Sequence, residues 1–331
     1  MAAMAARAAG APDGRAWSWT AALQGVVPPL ITPLCDDGSL DEAALAALIE
    51  HVLAAGCSGL FVLGGCGEGA WLTSAQRAAV VRAAVRAAAG RVPVLAGVLL
   101  PGTAPACEAA RQAADEGAHA LVVSSPYYYA VDAAAQRRHV EAILAATALP
   151  VLLYNIPQAT GHVLAPETVA ALAGEPRVLG IKDSAGDLAT FQQLLAIRQR
   201  RPTFRVLQGS ERLMAASLLL GADGLVPGLA NVAPGLFVAL RRAAAAGDVA
   251  ACVRLQEEIA DLWTLHHQGH WLVALKAACA VIGLGTGLPA APLAPVSAAQ
   301  RQAIAAIVRR SVPGVTHAGA PGAGAPMHER A

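Results

Sequence analysis

The sequence has few charged residues and few aromatic ones. Charged residues make up 14% of the 331 positions, aromatic residues make up 4%, and the formal net charge is +1. There is no basic run and no interleaving of basic and aromatic residues, so neither nucleic acid nor an anionic membrane is expected as a partner. Every apolar run of about 18 residues is interrupted by charge, proline or glycine, so no membrane-spanning helix is predicted.

The cysteines and histidines show no pattern typical of a disulfide framework or a metal site. The six cysteines form no CxxC pair, and no secretory signal is evident, so a reducing, cytoplasmic location is expected. They are Cys35, Cys57, Cys66, Cys107, Cys252 and Cys279. In "HHQGH", His266, His267 and His270 lack a matching set of carboxylates or cysteines, so we expect a packing or solvated role and no metal.

Short β-like runs alternate with alanine-rich segments of helical length. Hydrophobic residues reach 56% of the chain, and much of this is alanine, a strong helix former. Eight β-like runs occur: GVVPPLIT from Gly25, GLFVLG from Gly59, VPVLAG from Val92, ALVVSS from Ala120, PVLLYN from Pro150, RVLGIKD from Arg177, FRVLQG from Phe204 and ADGLVPG from Ala222. Strands that are apolar on both faces are typical of a parallel sheet covered by helices.

Eight strand–helix units in about 220 residues match a (β/α)8 barrel. The competing architecture is a doubly wound open sheet, but no GxGxxG follows the first run. The predicted fold class is therefore α/β, a (β/α)8 TIM barrel with a small C-terminal helical domain. The predicted segments are a disordered N-terminal extension (1–20), a catalytic barrel (21–247), a C-terminal helical domain (248–311) and a disordered tail (312–331), the tail being rich in Gly, Pro and Ala.

The stretch "VLGIKDSAGD" places a lysine where the sixth apolar run ends. Because side chains alternate along a strand, Val178, Gly180 and Lys182 are predicted to face the barrel interior, while Leu179, Ile181 and Asp183 face the helices or the exit loop. A lysine can also end a strand simply by extending its amine into solvent. At the mouth of a barrel, however, partial desolvation favours the neutral, nucleophilic form of an amine.

Tyr154 ends the fifth run as Lys182 ends the sixth. Adjacent parallel strands lie about 4.8 Å apart, so the two side chains are expected to be within reach of each other. A phenol beside an amine suits proton transfer during reactions at a carbonyl. The alternative role is that of a core tyrosine with a satisfied hydroxyl group. Two reactive side chains at neighbouring strand ends favour the catalytic interpretation.

Two further segments follow other strands of the predicted barrel. The glycine-rich "LGGCGEG", Leu63 to Gly69, allows backbone N–H groups to gather around an anion such as a carboxylate. "SPYYYAV" contains Tyr127, Tyr128 and Tyr129, which could pack a loop, form an oligomer contact or close a site. Cys66 lies at the same mouth, but no His–Cys pairing is apparent, so a covalent cysteine mechanism is not expected.

With these residues placed, the chain resembles the dihydrodipicolinate synthase / N-acetylneuraminate lyase family of pyruvate-dependent class I aldolases. The resemblance runs from about Gly25 to the C-terminal helices. Four motifs carry it in the family's order: Gly64–Glu68 for G-[ST]-[ST]-G-E, Pro126–Tyr128 for PYY, Tyr154–Pro157 for YN-x-P and Gly180–Lys182 for GxK. The resemblance implies a barrel with a helical C-terminal domain that assembles as a homotetramer, a dimer of dimers.

The resemblance also implies a role for each site residue. Lys182 would form a Schiff base with pyruvate or another 2-oxo acid, and Tyr154 would relay protons, so that the covalent imine replaces any cofactor or metal. Gly65 and Cys66 would bind the carboxylate, and Tyr128 would reach the neighbouring subunit's site. The residues implied near the bound keto acid are Gly209, in "QGSE", and Val226, in "LVPG".

Two departures from the family pattern bear on the reaction. Gly65 and Cys66 stand where the family has two hydroxyl residues, which interrupts the synthases' proton relay. Ala159 stands where synthases carry an arginine for the second substrate's carboxylate. These departures disfavour dihydrodipicolinate synthesis. The segment "KDSAGD" is more similar to relatives that cleave or dehydrate hydroxy-oxo acids, such as 4-hydroxy-2-oxoglutarate or 2-keto-3-deoxy sugar acids, so the resemblance implies a lyase or aldolase of that type. Two alternatives stay open: 4-hydroxy-tetrahydrodipicolinate synthase, and a non-catalytic member that binds a keto acid.

Overall fold

The computed structural model describes residues 17–312. Residues 1–16 and 313–331, most of the two segments predicted to be disordered, lie outside the described residues. Residues 17–20, predicted from the sequence to belong to the disordered N-terminal extension, are described, and Trp19 and Thr20 begin the first helix.

A parallel sheet of seven strands forms the centre of the described chain. The strands are hydrogen-bonded in chain order. They are β1 (Leu60–Val62), β2 (Val94–Gly97), β3 (Ala120–Ser124), β4 (Val151–Asn155), β5 (Val178–Asp183), β6 (Arg205–Gln208) and β7 (Gly224–Leu225). Strands β1 to β7 correspond to the second to eighth runs predicted from the sequence.

The first predicted run closes the sheet into a barrel without forming a regular strand. Val26 makes a parallel bridge to Leu225 of β7, and Pro29 makes one to Phe61 of β1. Pro28 and Pro29 lack the N–H groups that a continuous ladder requires, so only isolated bridges form. The prediction of eight regular strands is therefore wrong by one, whereas the predicted closed α/β barrel is present.

Helices follow the strands and cover the outside of the barrel. They are α1 (Trp19–Ala22), α2 (Glu42–Ala54), α3 (Ser74–Ala88), α4 (Thr103–Asp115), α5 (Ala133–Ala146), α6 (Pro157–Thr160), α7 (Pro166–Leu172), α8 (Leu188–Ala196), α9 (Met214–Leu219), α10 (Pro234–Ala245), α11 (Val249–Trp263), α12 (Trp271–Val281) and α13 (Ala298–Ser311). Beyond α10 the described chain forms helices and no strand. No helix within residues 17–312 is long and apolar enough to span a membrane.

The apolar core is divided by the barrel wall into two clusters. The inner cluster contains Phe61, Leu152, Tyr154 and Val226, and the larger outer cluster lies between strands and helices. This division is what strand alternation requires, because successive side chains point to opposite faces.

The start of β5 departs from the predicted alternation. Val178 packs in the outer cluster, and Leu179 packs against the inner one, the reverse of the prediction. The reason is a shift in the pairing register of β4 with β5 between Val151 and Leu152. From Gly180 onward the predicted order holds: Ile181 lies in the outer cluster, and Lys182 contacts inner residues.

Candidate active site

Lys182 and Tyr154 are direct neighbours at the carboxyl ends of β5 and β4. Their Cα atoms are register partners in the sheet. The Lys182 Nζ atom lies 4.1 Å from the ring centroid of Tyr154 and 5.2 Å from that of Phe61. Lys182 and Tyr154 are each only 4% exposed. The structure therefore brings the predicted amine and phenol together in an apolar, sheltered position.

Lys182 is distinguished from the other lysine of the chain by its surroundings. The sequence contains only two lysines, Lys182 and Lys276. Lys276 Nζ is buried 2.5 Å from Glu68 Oε2, whereas Lys182 makes no ion pair with any carboxylate in residues 17–312. Burial lowers the pKa of Lys276, and the adjacent Glu68 carboxylate opposes that shift. Because Lys276 is tied to a carboxylate, Lys182 is the amine better placed to attack a carbonyl.

A pair of buried polar side chains fixes the strand ends that carry these two residues. Asn155 Nδ2 donates a hydrogen bond of 2.6 Å to Asp183 Oδ1, one position beyond Tyr154 and Lys182 on each strand. Asn155 Oδ1 in turn accepts from the Leu164 amide. This bridge sets the relative height of β4 and β5, so it holds the phenol and the amine in register.

Gly209 gives the Lys182 side chain the space it occupies. A Cβ atom at position 209 would lie 2.8 Å from Lys182 Cε and 2.1 Å from Ser184 Oγ, both closer than van der Waals contact permits. Val226 lies in the inner cluster with Tyr154. Gly209 and Val226, the two residues predicted to lie near the keto acid, therefore lie beside the Lys182 amine and the Tyr154 ring.

The glycine-rich segment after β1 presents backbone amides near the same position. The N–H groups of Gly65 and Cys66 donate to no backbone acceptor in the described part of the chain. Two adjacent unpaired amides are suited to binding a carboxylate. Burial raises the pKa of the Cys66 thiol to about 12, and the nearby Lys182 charge opposes that shift. The thiol therefore stays protonated, which supports the expectation that Cys66 is not a nucleophile.

A cavity of about 320 Å³ opens above this pair of strands. It is lined by Gly64, Gly65, Glu68, Gly69, Ala70, Trp71, Leu99, Ser124, Tyr127, Tyr154, Ile156, Ala159, Thr160, His270, Trp271 and Leu272. Lys182 does not itself line the cavity and lies against Tyr154, which does. The Tyr154 side chain therefore lies between the cavity and the Lys182 amine.

Tyr128 is the one predicted site residue that lies apart from the others. Its side chain is 85% exposed and stacks edge-on against Tyr129 with ring centroids 4.9 Å apart. It is absent from the cavity lining, where its neighbour Tyr127 appears instead. The structure describes one chain, so the predicted reach of Tyr128 into a second subunit stays a prediction.

Several residues that line the cavity were not predicted from the sequence. Trp71 follows the glycine-rich segment by two positions, and its aromatic side chain was a usable signal there. Trp271 begins α12, about ninety residues after Lys182 in the sequence, and no local pattern ties it to the barrel mouth. His270 also lines the cavity, whereas only a packing or solvated role was predicted for it from the sequence. No cluster of three potential metal ligands occurs among residues 17–312.

Titration of the Asp183 carboxyl group should make the free energy of unfolding depend on pH, and the substitution Asp183→Asn should remove that dependence. Burial raises the pKa of its carboxyl group to about 6, while the hydrogen bond from Asn155 opposes the shift. Between pH 4 and 6 the folded protein retains a proton that the unfolded chain has lost, so folding stability falls as pH rises through this window, by about 2 kcal/mol.

The measurement is urea unfolding of wild type and Asp183→Asn at pH 4 and pH 7. The comparison cancels the contribution of buried histidines such as His139, which titrate in the same range in both proteins. The free energy of unfolding of the variant, relative to wild type, is expected to rise by about 2 kcal/mol between the two pH values. Parallel pH profiles would show that Asp183 does not titrate as described.

The fold and the site together define a closed parallel barrel with a buried amine and phenol at the carboxyl ends of adjacent strands, an arrangement suited to Schiff-base chemistry. The family model described as the dihydrodipicolinate synthetase family matches residues 22–311. The chain belongs to this family, whose members are pyruvate-dependent lyases. The resemblance inferred from the sequence motifs is confirmed.

Proteins with similar sequences and structures match this chain over nearly all of its described residues. The 4-hydroxy-tetrahydrodipicolinate synthase of Xylella fastidiosa is 38% identical over 83% of this chain and 90% of its own length. An uncharacterized DapA-like lyase of Halobacterium salinarum is 38% identical over 82% of this chain and 88% of its own. The solved structure of dihydrodipicolinate synthase from Bacteroides thetaiotaomicron has a TM-score of 0.83 and 37% identity, covering 87% of this chain and 98% of that one.

A second solved structure was determined with a ligand. It is a prophage protein of the dihydrodipicolinic acid synthase family from E. coli K12, in complex with pyruvate. Its TM-score is 0.83 at 31% identity, with 87% of this chain and 98% of that chain covered.

Proposed function

We propose that the protein is a Schiff-base lyase or aldolase that binds pyruvate as an imine on Lys182 and makes or breaks a carbon–carbon bond at the adjacent carbon. The observation that carries the proposal is the position of the Lys182 amine, buried against Tyr154 and free of any ion pair within the described residues. A pyruvate complex of a similar family protein supports the choice of keto acid.

The proposed steps use only the chain's own groups. The Lys182 amine adds to the pyruvate ketone, and loss of one water gives the imine, with Tyr154 exchanging the protons. The Gly65 and Cys66 amides hold the carboxylate. Loss of a proton from the methyl carbon gives an enamine, which attacks an aldehyde carbonyl. The new alkoxide takes a proton from Tyr154, and one water hydrolyses the imine. Cleavage runs through the same steps in reverse.

We further propose that the substrates are 4-hydroxy-2-oxo acids. The sequence motifs alone favour 4-hydroxy-2-oxoglutarate or 2-keto-3-deoxy sugar acids as members of this class, while the group carried on C4 is inferred separately from the cavity lining. Ala159 lines the cavity at the position where the sequence resemblance places the synthase arginine. Without a cation there, the carboxylate of aspartate semialdehyde loses its expected partner. The test is release of pyruvate from a panel of hydroxy-oxo acids, quantified by chromatography. Efficient synthase activity with pyruvate and aspartate semialdehyde would favour the alternative function instead.

Replacing Tyr154 with phenylalanine is expected to lower turnover by about 100-fold or more, because general acid–base catalysis contributes about that factor. The variant retains the aromatic ring beside Lys182, so trapping of pyruvate by borohydride should still reach completion, though more slowly. Steady-state rates and the extent of trapping are measured on the same preparation. Unchanged turnover would remove Tyr154 from the proton-transfer role.

The non-catalytic alternative makes a different prediction from the same assays. A protein that only binds a keto acid would show no turnover on any hydroxy-oxo acid of the panel.

The predicted homotetramer is tested separately by light scattering on the purified protein. If Tyr128 reaches a second subunit's site, Tyr128→Ala should lower activity in the assembled protein.

A further inference from the structure

We propose that the aldehyde half of the substrate is an uncharged aromatic aldehyde, bound against the indoles of Trp71 and Trp271. The inference rests on the proposed function and specifies the second substrate that the pyruvate enamine attacks. In the addition direction, pyruvate and an aryl aldehyde give a 4-aryl-4-hydroxy-2-oxobutanoate, with one water lost on imine formation and one consumed on hydrolysis. No oxidant, reductant or metal is needed for the balance.

The charged groups at the cavity argue against an acidic aldehyde. Among the described residues, no arginine and no lysine lines the cavity. The one carboxylate in the lining, Glu68, already has both oxygens engaged: Oε2 by Lys276 and Oε1 by the Ala290 amide at 2.6 Å. A second carboxylate on the substrate would meet no side-chain counterion there apart from His270. Desolvating a carboxylate without a partner is unfavourable, so the cavity selects against it.

The hydroxyl groups of the cavity argue against a sugar chain. Ser124 Oγ donates to the Ser125 carbonyl, and Thr160 Oγ1 lies within donating distance of the Ile156 and His162 carbonyls. Tyr127 donates to the Leu99 carbonyl at 3.3 Å. Each of these hydroxyl groups has one O–H to donate, and each donates it to a backbone carbonyl oxygen. Few hydrogen-bond donors are therefore left for the oxygens of a polyol substrate.

Aromatic and aliphatic side chains make up most of what remains of the lining. Trp71 is 49% exposed and Trp271 is 41% exposed, although both have large apolar rings. His270 stacks on Trp271 with ring centroids 6.0 Å apart, which stiffens that wall. Half-exposed indoles at the rim of a cavity are suited to contact with a flat apolar ligand, since stacking of aromatic rings adds to the burial of their surface.

The Trp271 indole lies beside Gly65, one of the two residues whose amides are proposed to hold the pyruvate carboxylate. An ideal Cβ at position 65 would lie 3.9 Å from Trp271 Cη2, in ordinary contact, so a hydroxyl side chain would have to share this space with the indole. The glycine therefore leaves the ring of Trp271 next to the amides that are proposed to hold pyruvate. An aryl group carried on C4 of the product would lie beside the same ring.

The experiment compares two matched hydroxy-oxo acids with the full-length protein. One carries a phenyl group on C4 and the other, 4-hydroxy-2-oxoglutarate, carries a carboxylate there. Pyruvate release is quantified by chromatography, and kcat/KM for the phenyl compound is expected to exceed that of the carboxylate by at least tenfold. Trp71→Ala and Trp271→Ala should each reduce this preference by raising KM for the phenyl compound. The matched controls Trp71→Phe and Trp271→Phe keep an aromatic face and should retain the preference.

Borohydride trapping of pyruvate separates failure of this inference from failure of the proposed function. If trapping on Lys182 fails, the proposed function itself is wrong. If trapping succeeds but the phenyl compound is not cleaved, or is cleaved no better than the carboxylate compound, the aromatic assignment is wrong. A phenyl preference that survives both alanine variants would also overturn the assignment, because the two indoles would then not form the binding surface.

Discussion

Replacing Lys182 with methionine is expected to abolish turnover, with a loss of at least about 10⁴-fold, because no other group in the proposed mechanism can form the imine. Methionine is close to lysine in length and lacks the amine. Since Lys182 is buried among Phe61, Tyr154 and other apolar side chains, the variant should fold with unchanged or increased stability. Turnover is followed by pyruvate release, and folding by circular dichroism and thermal unfolding.

A second variant at the same position separates charge from nucleophilicity. Lys182→Arg retains a positive charge, but a guanidinium group stays protonated in proteins and cannot add to a ketone. It should therefore be as inactive as the methionine variant. If the arginine variant kept appreciable turnover while the methionine variant lost it, Lys182 would act as a charge rather than as a nucleophile.

Replacing Lys276 with methionine is expected to cost about 3–5 kcal/mol of unfolding free energy, the usual effect of leaving a buried charge without its partner. Lys276 and Glu68 are both almost fully buried, and they join α12 to the glycine-rich segment after β1. Glu68 also accepts the Ala290 amide, so the same carboxylate connects three parts of the chain. Displacement of the Glu68 carboxylate should move the glycine-rich segment that carries Gly65 and Cys66. Because the amides of these two residues are proposed to hold the substrate carboxylate, KM for the hydroxy-oxo acid should rise.

Two further variants serve as controls for Lys276→Met: a double variant of the buried pair and a variant of an exposed ion pair. Glu68→Gln combined with Lys276→Met removes both charges, so it should recover part of the stability lost by Lys276→Met alone. Arg86→Met breaks the exposed pair with Glu42 and should change stability little. Unfolding in urea measures all three. If Lys276→Met were as mild as Arg86→Met, the buried pair would not hold the segment in place.

Much of the barrel was predictable because its signals are local. Apolar runs separated by alanine-rich helices predicted seven of the strands, and the positions of Tyr154 and Lys182 followed from where their runs end. The exceptions have physical causes. Pro28 and Pro29 reduce the first run to isolated bridges, and the register shift at Val151 reverses the predicted faces of Val178 and Leu179.

The cavity wall was less predictable because it is built from distant segments. Trp271 and Lys276 reach the site from α12, across long sequence separations that a pattern of period two or 3.6 does not record. The bridge between Asn155 and Asp183 was likewise invisible until the two strands were in register. Local motifs thus located the amine and the phenol of the proposed mechanism, while the side chains that line the cavity around them could be assigned only from the folded chain.

The most direct test of the account is to locate the pyruvate adduct after borohydride reduction. The protein is incubated with pyruvate and borohydride, digested, and mapped by mass spectrometry. The sequence contains only two lysines, so the peptide map has to distinguish labelling of just two side-chain amines. We expect a reduced pyruvyl adduct on the peptide carrying Lys182 and none on that carrying Lys276. An adduct on Lys276, or no adduct on either lysine, would contradict it.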